Sequence, residues 1–199
     1  GIHPNEPSGM LAAVLFIENA IMEKGKAIVI PHSNASGFTH QDPGQGAPNY
    51  FNIQTEWGKR TFRYGSRVTN PIHQYPDPDA YAHYPSGQFV SGSEVRNLNR
   101  VFPGRPDGML TEKIAYGITT LVKQEGIDLV IDCHEARPMN PIVNCIIAPE
   151  KAMYIAATAS MTLGLDEGIA MRIEPSPENL RGLTHREFSD HTDAIALIM

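Results

Sequence analysis

Only two cysteines, Cys133 and Cys145, occur in the 199 residues. Two thiols are too few for a disulfide framework, and a cysteine-bound metal would need more of them. No apolar stretch approaches the roughly 20 residues that a bilayer-spanning helix requires, so no membrane span is expected. No run of lysine or arginine occurs and the formal charge is −6, which argues against nucleic acid as a partner. No internal repeat is visible. The chain opens inside a motif, with neither an initiator methionine nor a signal peptide, and so carries no mark of its compartment. What remains, a hydrophobic share of 41% over 199 residues, is enough for one α/β domain with a sizeable core.

Helix and strand patterns alternate on both sides of one long segment without clear periodicity. Pro7 suits a first helical turn, and Met10, Leu11, Val14, Leu15, Ile17, Ile21 and Met22 form a broad apolar stripe ending at Gly25. Ala27 to Ile30 has the pattern of a short buried strand. From about residue 31 to 92 the chain is rich in Pro, Gly, Asn, Tyr and His; its aromatics, among them Phe38, Tyr50, Trp57 and Tyr81, predict an ordered insertion beside a site. Thr111 is the expected N-cap of a helix running to Gly126. Strands are expected at Ile127–Cys133, Ile142–Ala148, Ile169–Ile173 and Ala194–Met199, with a helix from about Pro149 to Leu163. The alternation predicts a single α/β domain over 1–199, with a mixed, mostly parallel sheet and helices on both faces.

The chemistry-bearing residues concentrate in three motifs. His3-Pro4-Asn5-Glu6 puts an imidazole and a carboxylate three residues apart in a turn, where both can aim at one point. His134 ends a central strand at Asp132-Cys133-His134, the usual position for a site in an α/β sheet. A His₂Glu set of this kind leaves one coordination position open, as catalytic zinc does. Asp132 shares a strand face with His134, so it either accepts a proton from a ligating imidazole or forms a plain buried ion pair. Cys133 faces the other way, as a buried and inert thiol. The third motif is Asn97-Leu98-Asn99-Arg100-Val101-Phe102-Pro103-Gly104.

In that order the three motifs resemble the zinc carboxypeptidase superfamily, and more closely its succinylglutamate desuccinylase/aspartoacylase branch, with Arg96 to Glu135 the best-matching stretch. The resemblance implies one Zn²⁺ per chain held by His3, Glu6 and His134, with Asn99 and Arg100 gripping a substrate carboxylate. Arginine suits that task because its planar fork meets a carboxylate bidentately and keeps its charge. The resemblance also implies a second arginine that polarises the scissile carbonyl. Gly92 stands at its usual spacing, leaving Arg67 and Arg96 as candidates, with Arg67 preferred. A general-base glutamate is expected directly after the apolar strand Ala194–Met199, so the chain reads as a segment cut at both ends. Glu135, Glu174, Glu178 and Glu187 are weaker substitutes, the last expected in a loop. His185 and His191 are expected to be hydrogen-bonding residues rather than ligands.

The expected function is zinc-dependent hydrolysis of an amide next to a free carboxylate, with an N-acyl amino acid as the small carboxylate-bearing substrate. A metallocarboxypeptidase acting on a peptide C-terminus is the alternative, since the aromatic-rich insertion could wall a peptide cleft. A zinc- and ligand-binding protein without turnover is the non-enzymatic one.

Overall fold

The computed structural model describes residues 1–42, 46–136, 139–140 and 143–199. Pro7 opens α1 (Pro7–Asn19), where a missing N–H costs nothing because first-turn donors have no helical partner. The helix stops at Asn19, whose side-chain amide donates to the Leu15 carbonyl, and Ala20 is extended. Ile21 and Met22, expected in the helical stripe, therefore lie beyond it. Leu15, Phe16 and Ile17 are exposed, and only Gly9 and Met10 of this helix are buried.

Ala27 to Ile30 forms no strand, contrary to expectation, because it has no ladder partner among the described residues, and Ile28 and Ile30 are both exposed. The segment expected to be irregular contains two antiparallel hairpins instead. The first pairs β1 (Tyr50–Thr55) with β2 (Gly58–Arg63), with Phe51 stacked on Phe62 across the ladder. The second pairs β3 (Ala80–Ala82) with β4 (Phe89–Ser91). Both are short and half exposed, so neither produces the clean apolar alternation by which a strand is recognised.

α2 (Leu110–Gln124) starts at Met109, not at Thr111 as the sequence suggested. The Glu112 carboxylate accepts from the Met109 N–H at 2.8 Å and satisfies the helix start, while the Thr111 N–H donates to Gln74 Oε1 at 2.8 Å. β5 (Leu129–Asp132) and β6 (Cys145–Ala148) fall inside the expected strands, Ile142 lying outside the described residues. A 3₁₀ turn leads into α3 (Met153–Asp166). β7 (Arg172–Pro175) begins three residues later than expected. α4 (Thr184–His191) replaces the expected loop around Glu187, and β8 is Ile195–Ile198.

The main sheet has the order β5-β8-β6-β7, with β5 parallel to β8, β6 parallel to β7, and β6 antiparallel to β8. Alternation along β8 divides the core between two faces. Ile195 and Leu197 pack with Ile146, Ala148 and Ala156 under α3. Ala196 packs with Val130, Ala115, Val122 and Phe188, under α2 and α4. Helices thus cover both faces of a mixed α/β sheet. No helix among the described residues is long and apolar enough to cross a membrane.

Candidate metal centre

Two chain segments meet where β5 ends. The Met199 N–H donates to the Asp132 carbonyl and the His134 N–H to the Met199 carbonyl, extending the β5–β8 ladder to the site. Gly9 of α1 sits so close to this strand end that a Cβ on it would lie 2.6 Å from the Cys133 carbonyl oxygen. The absence of a side chain at residue 9 lets the helix approach, and the turn that opens it carries His3 and Glu6 to His134.

One donor atom each from His3, Glu6 and His134 lies within 4.8 Å of the other two. His3 Nδ1 is 2.9 Å from Glu6 Oε1, His134 Nδ1 is 2.8 Å from Glu6 Oε2, and the two imidazole centroids are 4.8 Å apart. His3 and Glu6 are buried and His134 is partly so.

The far side of each imidazole fixes its proton. Asn97 Oδ1 accepts from the Asn99 N–H at 3.1 Å, which identifies that end of the amide as the oxygen. The same oxygen lies 2.9 Å from His3 Nε2, so this nitrogen must be the donor and Nδ1 carries a lone pair. Asp132 Oδ2 lies 2.9 Å from His134 Nε2, which donates to it, and the Thr184 hydroxyl donates to the same oxygen. Both Nδ1 atoms therefore turn toward one carboxylate. Two acceptors face each other at His3 Nδ1 and Glu6 Oε1, an arrangement that favours a cation between them. Two imidazole nitrogens and one carboxylate, with each second ring nitrogen held by an oxygen, are a donor set that fits Zn²⁺.

Charge at the cluster follows the same geometry. Burial lowers His3 to about 4, against the pull of Glu6, so it is neutral near pH 7. Burial also works to lower His134, but Asp132 and then Glu6 outweigh it and raise the group to about 9. Burial pushes Glu6 upward, yet the hydrogen bonds with His134 and His3 hold it well below the usual carboxylate range. Without a metal, His134 is thus the one cationic imidazole of the cluster near neutrality.

Two arginines border these donors. Arg67 Nη1 donates to Glu6 Oε1 at 2.5 Å, and Arg67 is only partly buried. Arg100 Nη1 donates to the Asn99 carbonyl at 2.7 Å. Burial lowers the Arg100 guanidinium, Glu94 raises it, and Arg67 lowers it again, so the two arginines lie in each other's field. Arg96, the other candidate for the carbonyl-polarising role, is clamped on Asp77 by three contacts of 2.8 to 3.1 Å and donates to the Thr69 carbonyl. Asn99 is buried; its Oδ1 accepts from the Thr184 N–H and its Nδ2 passes 3.3 Å from His134 Nε2. The side chain of Asn99 ties α4 to the site.

Glu135, Glu174, Glu187, His185 and His191 have other partners. Glu135 Oε1 accepts from the Ser8 N–H at the start of α1. Glu187 is completely buried and accepts from Gly182 N and Arg181 Nη2, while Glu174 pairs with Arg172. His185 Nε2 lies 2.7 Å from Ser176 Oγ, and His191 pairs with Glu187. Cys133 is partly exposed, not buried as expected, and burial of its thiol still pushes its pKa upward. The part taken by Asn97 and Thr184 escaped the sequence reading, because no spacing links them to the residues they hold. No family model, curated protein or solved structure matches the chain.

Proposed function

We propose that this chain is a zinc-dependent hydrolase that cleaves an amide bond next to a free carboxylate, in the manner of the succinylglutamate desuccinylase/aspartoacylase branch of the zinc carboxypeptidase superfamily. The substrate is an N-acyl amino acid. One observation carries the proposal: His3, Glu6 and His134 converge with their opposite ring nitrogens already taken by Asn97 and Asp132.

A zinc ion held there supplies Lewis-acid polarisation of a carbonyl and of water. The residues of the chain do the rest. Asn97 and Asp132 keep both ligating imidazoles in the Nε2–H tautomer. Arg100 binds the substrate carboxylate, and Asn99 steadies it by accepting one of its N–H groups on the backbone carbonyl. Arg67, beside Glu6 Oε1, offers a cation to the negative charge that develops on the carbonyl oxygen during attack.

Binding without turnover is the second reading, favoured by a specific observation. Hydrolysis needs a carboxylate to carry a proton from water to the leaving nitrogen; of the four substitutes, Glu135, Glu174 and Glu187 are engaged with other groups, and Glu178 lies in an exposed turn. Both readings are tested by loading the chain with zinc and following ninhydrin-reactive amine release from a panel of N-acetyl amino acids and short peptides. Release from acetyl amino acids that stops on chelation supports the deacylase. Release from peptides alone supports a carboxypeptidase. Saturable zinc and ligand binding with no release supports the non-catalytic reading.

A further inference from the structure

Glu94 lies in the 3₁₀ turn Gly92–Arg96 and directs one carboxylate oxygen at two partners. Oε2 accepts from Asn97 Nδ2 at 2.8 Å and stands 3.6 Å from Arg100 Nε. Asn97 is buried, and its other end holds His3 Nε2 at 2.9 Å. We propose that Glu94 is a positioning residue that joins the metal centre to the anion-binding arginine, setting the His3 imidazole through Asn97 and the Arg100 guanidinium directly. This rests on the zinc and carboxylate binding proposed above.

The geometry gives Glu94 two tasks. By accepting from Nδ2 it keeps the Asn97 amide from turning over, so that Oδ1 continues to face the His3 N–H; a flipped amide would set donor against donor. By facing Nε it fixes one edge of Arg100, while the Asn99 carbonyl takes Nη1. Nη2 then has no partner among the described residues and is the edge offered to an incoming carboxylate. A surface ion pair alone contributes little. Here the carboxylate is anchored to a buried amide, so its position is set from the inside.

Positioning and simple electrostatics predict opposite results, which makes the inference testable on the full chain. Glu94→Gln keeps an acceptor for Asn97 but removes the negative charge beside Arg100. Electrostatics alone would tighten anion binding in this variant, whereas loss of positioning weakens it. Zinc affinity is measured by chelator competition, and succinate binding to the zinc-loaded chain by calorimetry. For Glu94→Ala the zinc affinity should fall about 10-fold, the lower end of what outer partners of metal ligands contribute. For Glu94→Gln zinc affinity should hold, and succinate should bind about fivefold more weakly, the scale of one lost ion pair that orients Arg100. Should Glu94→Ala fail to fold by circular dichroism, the near-isosteric Gln variant still decides the matter through succinate. Unchanged zinc affinity in a folded Ala variant, or tighter succinate binding in the Gln variant, overturns the role of Glu94. A wild-type chain that takes up no zinc overturns the metal centre itself, and this inference with it.

Discussion

At the scale of single residues, the proposed metal centre depends on which nitrogen of each imidazole faces Glu6. His134→Ala should weaken zinc binding by more than about 100-fold, since it removes one of only three ligands. His191→Ala should leave zinc binding unchanged, because that ring pairs with Glu187. Equal losses in chelator competition would refute the ligand assignment. Arg100→Lys should bind succinate about 10-fold more weakly with metal content intact, because an ammonium cannot reproduce the planar fork. Lost metal would instead make Arg100 a structural support. Protonation gives a third check. His134 is raised to about 9 by Asp132 and Glu6 and is charged at pH 6, whereas His3 is lowered to about 4 and Glu6 is ionised. Zinc must displace the His134 proton to reach Nδ1, so calorimetry at pH 6 in buffers of different ionisation enthalpy should report one proton released. Zero or two would contradict the charge assignment. His3 and Glu6 were legible in the sequence because their relation is local, and Asp132 with His134 because strand side chains alternate. Asn97 was not, since 94 residues separate it from the imidazole it holds.

At the scale of elements, the close contact of α1 with the end of β5 decides whether the ligands meet. Gly9→Ala has two opposing effects. Alanine favours a helix over glycine by about 0.5–1 kcal/mol, but its Cβ would meet the Cys133 backbone oxygen at 2.6 Å. Overpacking against a backbone that cannot yield costs about 1–3 kcal/mol and should prevail. The variant is expected to melt at a lower temperature and to bind zinc more weakly than wild type. A higher melting temperature with unchanged affinity would show that the approach is not tight. Elements with a strong local signal were readable in advance, such as α1 from Pro7 and β5 and β8 from their apolar runs. The two hairpins between Tyr50 and Ser91 were not, because their ladders are short and half exposed. α4 reads as a loop in the sequence because it is polar, whereas the fold buries its Thr184, His185, Glu187 and Phe188. Tertiary burial overrides weak local preference there.

At the scale of the whole molecule, a mixed sheet covered on both faces delivers the ends of β5 and β8 to the same point as the turn that opens α1. The division of the core across β8, with Leu197 on one face and Ala196 on the other, packs that end of the sheet on both sides. The convergence of His3, Glu6 and His134 therefore belongs to the packed fold, which is what a preformed metal site requires. The most direct test is an anomalous difference map at the zinc edge from crystals of the zinc-loaded chain. One peak is expected about 2.0–2.2 Å from His3 Nδ1, a Glu6 carboxylate oxygen and His134 Nδ1. A zinc peak on other residues, or no peak with the two imidazoles still against Glu6, would overturn the ligand assignment.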